Sequence, residues 1–513
     1  MPFCPNPECP HIKRLLKSAE YVSGVGTCSD CGSELVENET IVESNRTPLI
    51  GDFEKRVLYT LGMLAVWRML THIAPPGIDF EAVNRFFIDR GGESLLKDLF
   101  GLPHLTVLAL GLMPYISASV AIEILALFLK PFKSWREVGY QGRLKLRQTS
   151  LIATFILAFV QGYWIAQGLT GMGAEGLVYD HGIGYRLFLT LTLTTGTFIT
   201  IGIANQITRK GIGHGISVII FTASAGRLLS HLFKLISMND EHVLSKSPFE
   251  YLLLSTGILA LLIVIIVIME KGNKRISVKY DDGMESYLPL KLTTAGIVPV
   301  DWAGYIVMVT VTMLSFLNIE PFQKIVVFLS PGKVSYSIIY AIAIIFLYFL
   351  FTSFFYRPKD MISSLQHKGA FLAVPIGKNT EDHIDRVLEI IAFAGAVYLC
   401  LLFFLPEILI RLGFPIFVGG VGLITTVAIV LDLSEESRVR RKSKSLTKIM
   451  EFHEVQKAGL FKGILEQKGI PCFLQGYYHR SLLYFFGPYI EISVFVPADK
   501  SSEASELFER YIE

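Results

Sequence analysis

The 513-residue sequence lacks every common catalytic signature. It contains no P-loop, no Gly-x-Ser-x-Gly and no His-Glu-x-x-His, so nucleotide hydrolysis, serine-nucleophile chemistry and zinc-protease chemistry have no support. Its glycine-rich run, Gly211-Ile212-Gly213-His214-Gly215, lies between two apolar segments rather than after a strand. It therefore reads as a turn with His214 facing solvent, not as a phosphate cradle. An excess of one charge is also missing: 47 Lys and Arg against 45 Asp and Glu leave +2, which gives no reason to invoke nucleic acid. No cleavable leader precedes the first apolar segment, because the N-terminus is polar and rich in Cys and Pro; it is expected to stay in the cytosol. These absences point away from an enzyme.

What the sequence has instead is apolar length. Half of it is hydrophobic (51%), the mean hydropathy is +0.49, and charge-free runs such as Tyr251 to Met269 and Val334 to Tyr356 are long enough to cross a bilayer core of about 30 Å. Spans are expected at roughly 56–73, 110–125, 151–168, 186–206, 214–233, 251–269, 292–316, 334–356, 387–405 and 412–431. In the second of these, LGLMPYISASVAIEIL, Pro114 and Tyr115 interrupt an apolar helix, and Ser117 and Ser119 line the next turn. A proline inside a helix predicts a kink, and such a break is tolerated in a membrane only beside protein or a wet cavity. The loop after this span carries Lys130, Lys133, Arg136, Arg143, Lys145 and Arg147 against the single acid Glu137, whereas Thr170 to Tyr185 has no Lys or Arg. The positive-inside rule then puts the basic loops in the cytosol and, with ten spans, both termini as well.

Two smaller regions flank the spans. Residues 1–35 hold Cys4, Cys9, Cys28 and Cys31, two Cys pairs at a spacing that suits one structural Zn2+ in a zinc ribbon; a disulfide pair and an unstructured Cys-rich tail are the competing readings, and His11 is a candidate to replace one Cys. A polar linker follows over 36–52. After the spans (53–435) comes a basic linker at 436–450. Residues 451–513 then read as a small α/β unit: a helix at Val455 to Gln467, strands near Cys472 and at Tyr489 to Val496, and a closing helix from Ser501.

The runs LGLMPYISASV (110–120), NQITRKGIGHGIS (205–217), SYLPLKLTTAGIVP (286–299) and RPKDMISSLQHKGAF (357–371) resemble the SecY protein-translocation channel family, as do KRVLYTLGMLAVWR (55–68) and IDRVLEIIAFAGAVYL (384–399). The resemblance covers about residues 50–435 and implies an all-α polytopic membrane protein, ten transmembrane helices in two pseudo-symmetric halves about a pore. It also implies a constriction at Ile116, Val120, Ile220, Ser224, Asp301 and Thr425, and a plug over Gly92 to Gly101 that includes Leu95, Leu96, Leu99 and Phe100. A lateral gate is expected beside the kinked helix of Pro114, Tyr115, Ser117 and Ser119. Cytosolic docking loops are expected to carry Lys274, Arg275, Arg357, Lys359 and Lys378. Implied partners are SecE-like and SecG-like subunits, signal-peptide-bearing polypeptides, a ribosome or SecA-type motor, and lipid; the implied location is the bacterial cytoplasmic membrane.

The sequence departs from the family pattern at several places. Three of the six constriction positions (Ser224, Asp301, Thr425) are not aliphatic, the loop between spans six and seven is cut to Tyr280 to Glu285, and neither the Cys-rich segment nor the C-terminal unit belongs to an ordinary member. The C-terminal unit resembles, more weakly, a small bacterial domain of presumed signal-transducing role. Two functions follow: a channel for unfolded polypeptides, in a principal or accessory form, or a repurposed scaffold that moves a small solute or anchors a sensor. With ten residues of helix from Lys291, Asp301 is expected near the bilayer midplane, within reach of Ser224 and Thr425.

Overall fold

The computed structural model describes residues 52–78, 106–137, 139–171, 182–237, 248–316, 320–329, 333–367, 369–372, 379–411, 420–442, 445–452, 454–483 and 491–512. The zinc ligands Cys4, Cys9, Cys28 and Cys31, the plug residues Gly92, Leu95, Leu96, Leu99 and Phe100, and Lys378 lie outside the described residues.

The apolar runs are helices. In chain order they begin α1 (Asp52–Leu70), α2 (Met113–Phe128), α3 (Lys130–Glu137), α4 (Gly139–Gly171), α5 (Ile183–Lys210), α6 (Gly215–Ser237) and α7 (Pro248–Lys271). A hairpin, β1 (Asn273–Tyr280) and β2 (Glu285–Lys291), precedes α8 (Val298–Phe316), α9 (Glu320–Phe328), α10 (Val334–Phe355), α11 (Pro358–Gln366), β3 (Ala370–Leu372), α12 (Thr380–Arg411) and α13 (Gly420–Lys442). The C-terminal part comprises β4 (Leu446–Phe452), α14 (Val455–Gln467), β5 (Phe473–Gln475), α15 (Tyr477–Leu483), β6 (Ile492–Pro497) and α16 (Ser501–Tyr511).

Among the described residues, five helical stretches are long and apolar enough to cross a membrane: Lys145–Thr170, Ile183–Lys210, Leu253–Lys271, Val334–Phe355 and Thr380–Leu409. Their outward faces are as apolar as their inward ones. On α10 the i, i+4 row Val334, Ile338, Ile342 and Phe346 is 55–66% exposed, while Tyr340, Ile344, Leu347, Tyr348 and Phe351 are buried. An apolar stripe this long on the outside is costly in water and at home in lipid.

Apolar cores form in the first half of the chain. One gathers Trp67, Leu108, Leu112, Tyr115, Ile201, Ile207, Ile216 and Ile219, and the other Ala158, Ala166, Leu169, Leu189 and Leu193. A larger core runs from Leu262 through α8, α10, α12 and α13 and continues without interruption into Phe452, Phe461, Leu474, Leu482 and Val494 of the C-terminal part. The C-terminal unit thus has no separate core; it is built onto the second half.

Several sequence expectations are corrected by this architecture. Pro114 does not kink a helix. Residues 106–113 form successive turns (Ala109 N–H to Thr106 O, Gly111 N–H to Leu108 O, Met113 N–H to Leu110 O), and α2 begins at Met113 with Pro114 in its first turn, where the absent N–H has no intrahelical partner to lose. The seventh span does not start at 292: Lys291 ends β2 and the helix begins at Val298, so Asp301 lies in its first turn rather than ten residues down. The short loop 280–285 is the tip of the β1–β2 hairpin, widened by β3 into a three-stranded antiparallel sheet, order β2-β1-β3. The supposed basic linker is not one, because α13 runs on to Lys442 and Leu446–Phe452 is a strand.

The C-terminal sheet has order β4-β6-β5, all antiparallel. Its helix α14 lies directly on β2, and two glycines one turn apart make this possible. A Cβ at Gly459 would stand 2.5 Å from Pro289 Cγ, and one at Gly463 would stand 3.1 Å from Ser286 Oγ. The helix α14 begins and ends at the residues expected from sequence, Val455 and Gln467, and α16 starts at Ser501 as expected.

Candidate pore and hairpin face

The six candidate constriction residues fall on α2 (Ile116, Val120), α6 (Ile220, Ser224), α8 (Asp301) and α13 (Thr425). Ile116 and Ile220 pack, half-buried, against the same first-half core. Thr425 is buried, and its hydroxyl donates to Val421 O at 2.9 Å within its own helix. The expected bond from Thr425 to Asp301 is therefore replaced by a local one, which costs no reorganisation of the backbone. Asp301 is half-buried in the first turn of α8. That turn is tied to α10 by Tyr340, whose hydroxyl donates to Val300 O at 2.8 Å.

On α2, Pro114 and Tyr115 are buried, Ser117 is exposed, and the hydroxyl of Ser119 is buried with no partner among the described residues. Among the described residues, the predicted docking cations Lys274, Arg275, Arg357 and Lys359 are at the surface. Lys274 and Arg275 stand on β1, with the Arg275 guanidinium 4.5 Å from the Tyr287 ring; Arg357 lies over Phe354, and Lys359 pairs with Glu381 at 3.3 Å.

The part of the site that sequence reasoning missed is α15. Tyr477, Tyr478, His479, Arg480, Ser481 and Leu482 are all buried, because this short helix lies against the ends of α6, α8 and α13. Asp432 of α13 accepts hydrogen bonds from the first backbone amides of α15, Tyr478 N–H at 2.9 Å and His479 N–H at 3.0 Å. Leu482 O accepts from Ile297 N–H at 2.9 Å, just before α8. Lys291, 1% exposed, bonds Glu270 at 3.1 Å and Ser481 Oγ, with its ammonium 5.0 Å from the Tyr478 ring and 5.6 Å from that of Tyr477. A cation removed from water is stable only with such a full set of partners.

His214, expected to face solvent, instead has its Nδ1 buried, and burial together with the Arg147 charge lowers its pKa to about 4. Nearby, the Gly213 amide donates to Glu436 at 2.9 Å, and Glu436 also holds Arg440 (2.7 Å) and Gln475 (3.3 Å). The glycine-rich run is thus a turn whose amides have separate partners: Gly213 donates to Glu436 of α13, Ile212 to Thr60 Oγ1 at 2.9 Å and Gly215 to Thr208 Oγ1 at 2.8 Å.

Apolar helices packed as two halves, with lipid-facing stripes outside and a polar face of hairpin and strands at one end, define a polytopic membrane protein. A family model described as SecY matches residues 106–434, and the chain belongs to the SecY family. The protein translocase subunit SecY of Escherichia coli (strain K12) is 30% identical over 406 residues, spanning 75% of this chain and 90% of the relative. That of Vibrio cholerae serotype O1 is 29% identical over 424 residues, spanning 78% and 94%. Among solved structures, "The structure of a protein conducting channel" aligns at 16% identity and a TM-score of 0.48, covering 77% of this chain and 94% of that one.

Proposed function

We propose that this protein is a SecY-type channel that passes unfolded polypeptides across or into the bacterial cytoplasmic membrane. The observation that carries the reading is the extent of the family match, which takes in both halves and all six constriction positions in one alignment over residues 106–434. Ten spans cross the membrane, the hairpin face is cytosolic, and both termini lie on that side, in keeping with the basic loops at 130–147, 209–210 and 271–275. The pore narrows at Ile116, Val120, Ile220, Ser224, Asp301 and Thr425, the plug is the segment about Gly92 to Gly101, and α2 and α8 border the lateral gate. A SecE-like subunit clasps the halves from the lipid side, and the four N-terminal thiolates hold one Zn2+ with Zn–S distances of about 2.3 Å.

Photo-crosslinkers on α2 and α8 test the reading. Each is expected to capture a stalled secretory chain in the assembled complex, together with a co-purifying SecE-like subunit. Complexes that repeatedly fail to capture the chain would sink the channel reading and favour a repurposed scaffold, toward which the polar residues Ser224, Asp301 and Thr425 already lean.

A further inference from the structure

The C-terminal unit is attached to the two halves by different chemistry. Toward the second half its attachment is apolar and continuous: Phe461, Leu474, Leu482 and Val494 belong to the same core as Ile266, Leu290 and Val298, and α14 rests on β2 through Gly459 and Gly463. Toward the first half its attachment among the described residues is polar. Ser217 Oγ and His479 Nδ1 share one of 2.6 Å, and Glu436 links the Gly213 amide to Gln475 of β5. Apolar burial of this extent holds a unit in place, whereas a single neutral hydrogen bond such as that between Ser217 and His479 exchanges against water at little net cost.

The position of α15 gives this asymmetry a consequence. Ser217 precedes Ile220 by three residues and Ile297 precedes Asp301 by four, about one helical turn each, while Asp432 follows Thr425 by seven, about two turns. All three contacts lie on the hairpin side of those positions, so α15 sits between the two halves directly beneath the constriction.

We propose that the C-terminal unit is a built-in clasp: carried by the second half, it holds the first half through His479 and Ser217 and keeps the channel closed from the cytosolic side until this latch is broken. The inference rests on the channel reading for its functional meaning, but the latch itself is a statement about how the halves are joined. It predicts that this chain, unlike a channel without such a unit, has a second barrier to opening besides the plug.

The test uses the full-length chain in planar bilayers and, in parallel, spin labels at the exposed positions 209 and 359, one on each half. Ser217→Ala removes one hydroxyl and His479→Leu one ring, and the two are read singly and together. Loss of the latch is expected to add a longer component to the 209–359 distance distribution and to raise resting open probability about fivefold, to the same extent in either single variant as in the double because the two residues share one hydrogen bond. Distances and open probability that stay at wild-type values in the double variant would overturn the clasp. Longer distances with no conductance in any variant would leave the clasp standing and overturn the channel reading instead. Ser217→Ala deletes a single atom from a helix that otherwise keeps its packing, so it separates loss of the latch from a failure to fold.

Discussion

Gly296→Ala is the substitution that addresses the seat of α15 most directly. Gly296 has φ +58°, and a Cβ there would stand 1.9 Å from Leu482 O, a backbone atom that cannot swing aside. Reaching an ordinary contact of roughly 3.4 Å requires the C-terminal end of α15 to retreat about 1.5 Å, which breaks the 2.9 Å bond from Ile297 N–H to Leu482 O. The left-handed backbone costs Ala about 1–2 kcal/mol and the lost hydrogen bond about 1 kcal/mol, so the seat weakens by about 2–3 kcal/mol. Gly283→Ala is the matched control. Its φ is +82°, but a Cβ there meets nothing within 4 Å, so it incurs only the backbone cost, in the hairpin tip. Hydrogen exchange of residues 477–483 and of the Ile297 amide, followed by mass spectrometry on the detergent-solubilised chain, reads the difference. At tenfold per 1.4 kcal/mol, Gly296→Ala should accelerate exchange in these segments at least thirtyfold, and Gly283→Ala should leave them near wild type. Rates within threefold of one another in the two variants would refute the steric argument.

Four further outcomes are expected. Burial first, with His214 and the Arg480 charge beside it, lowers the pKa of His479 from 6.5 to about 3. The seated ring is therefore neutral, and its contribution is fully present above pH 6.5 and lost as pH falls from 6.5 toward 3. Between pH 7 and pH 5 this removes about 2 kcal/mol, so the protection factors of 477–483, which set each exchange rate against the intrinsic amide rate at the same pH, should fall on acidification, and protection factors that do not change with pH in wild type would contradict it. Gly459→Val drives a side chain into Pro289, 2.5 Å from the Cβ position, and should raise susceptibility to protease between 443 and 454 while leaving the helical bundle intact. Fragment 1–40 should bind one equivalent of zinc and lose affinity in Cys28→Ser, as metal analysis would show; full retention in the variant would rule out the four-thiolate site. Asp301→Ile should reduce the rise in resting conductance caused by deleting residues 92–101, and an equal rise in wild type and variant would remove Asp301 from the seal.

Much of the bundle was legible in the sequence because lipid imposes a simple rule. Every segment crossing it must be an apolar helix of sufficient length, so Tyr251 to Met269 and Val334 to Tyr356 announce α7 and α10 by composition alone. The motifs that place the chain in its family are likewise local strings. The helices α14 and α16 were legible for a similar reason, their boundaries being set by Gly469 after one and by Ser501 at the start of the other.

What the sequence did not disclose depends on partners distant along the chain. Lys291, Glu270 and Ser481 are charged or polar residues in unremarkable contexts, yet they meet in a buried cluster across separations of 21 and 190 residues. The same holds for His479 on Ser217 and for Asp432 on the start of α15. Pro114 is compatible with either a kink or a helix start, and only the turns at 106–113, packed against the first-half core, select the second. The sequence by itself determined which long segments are apolar helices and which family the chain joins, because those follow from local hydrophobicity and short motifs. Only the tertiary structure decided that the C-terminal unit shares the second half's core and touches the first half through a polar latch, because burial and hydrogen-bond pairing are properties of residues brought together by the fold.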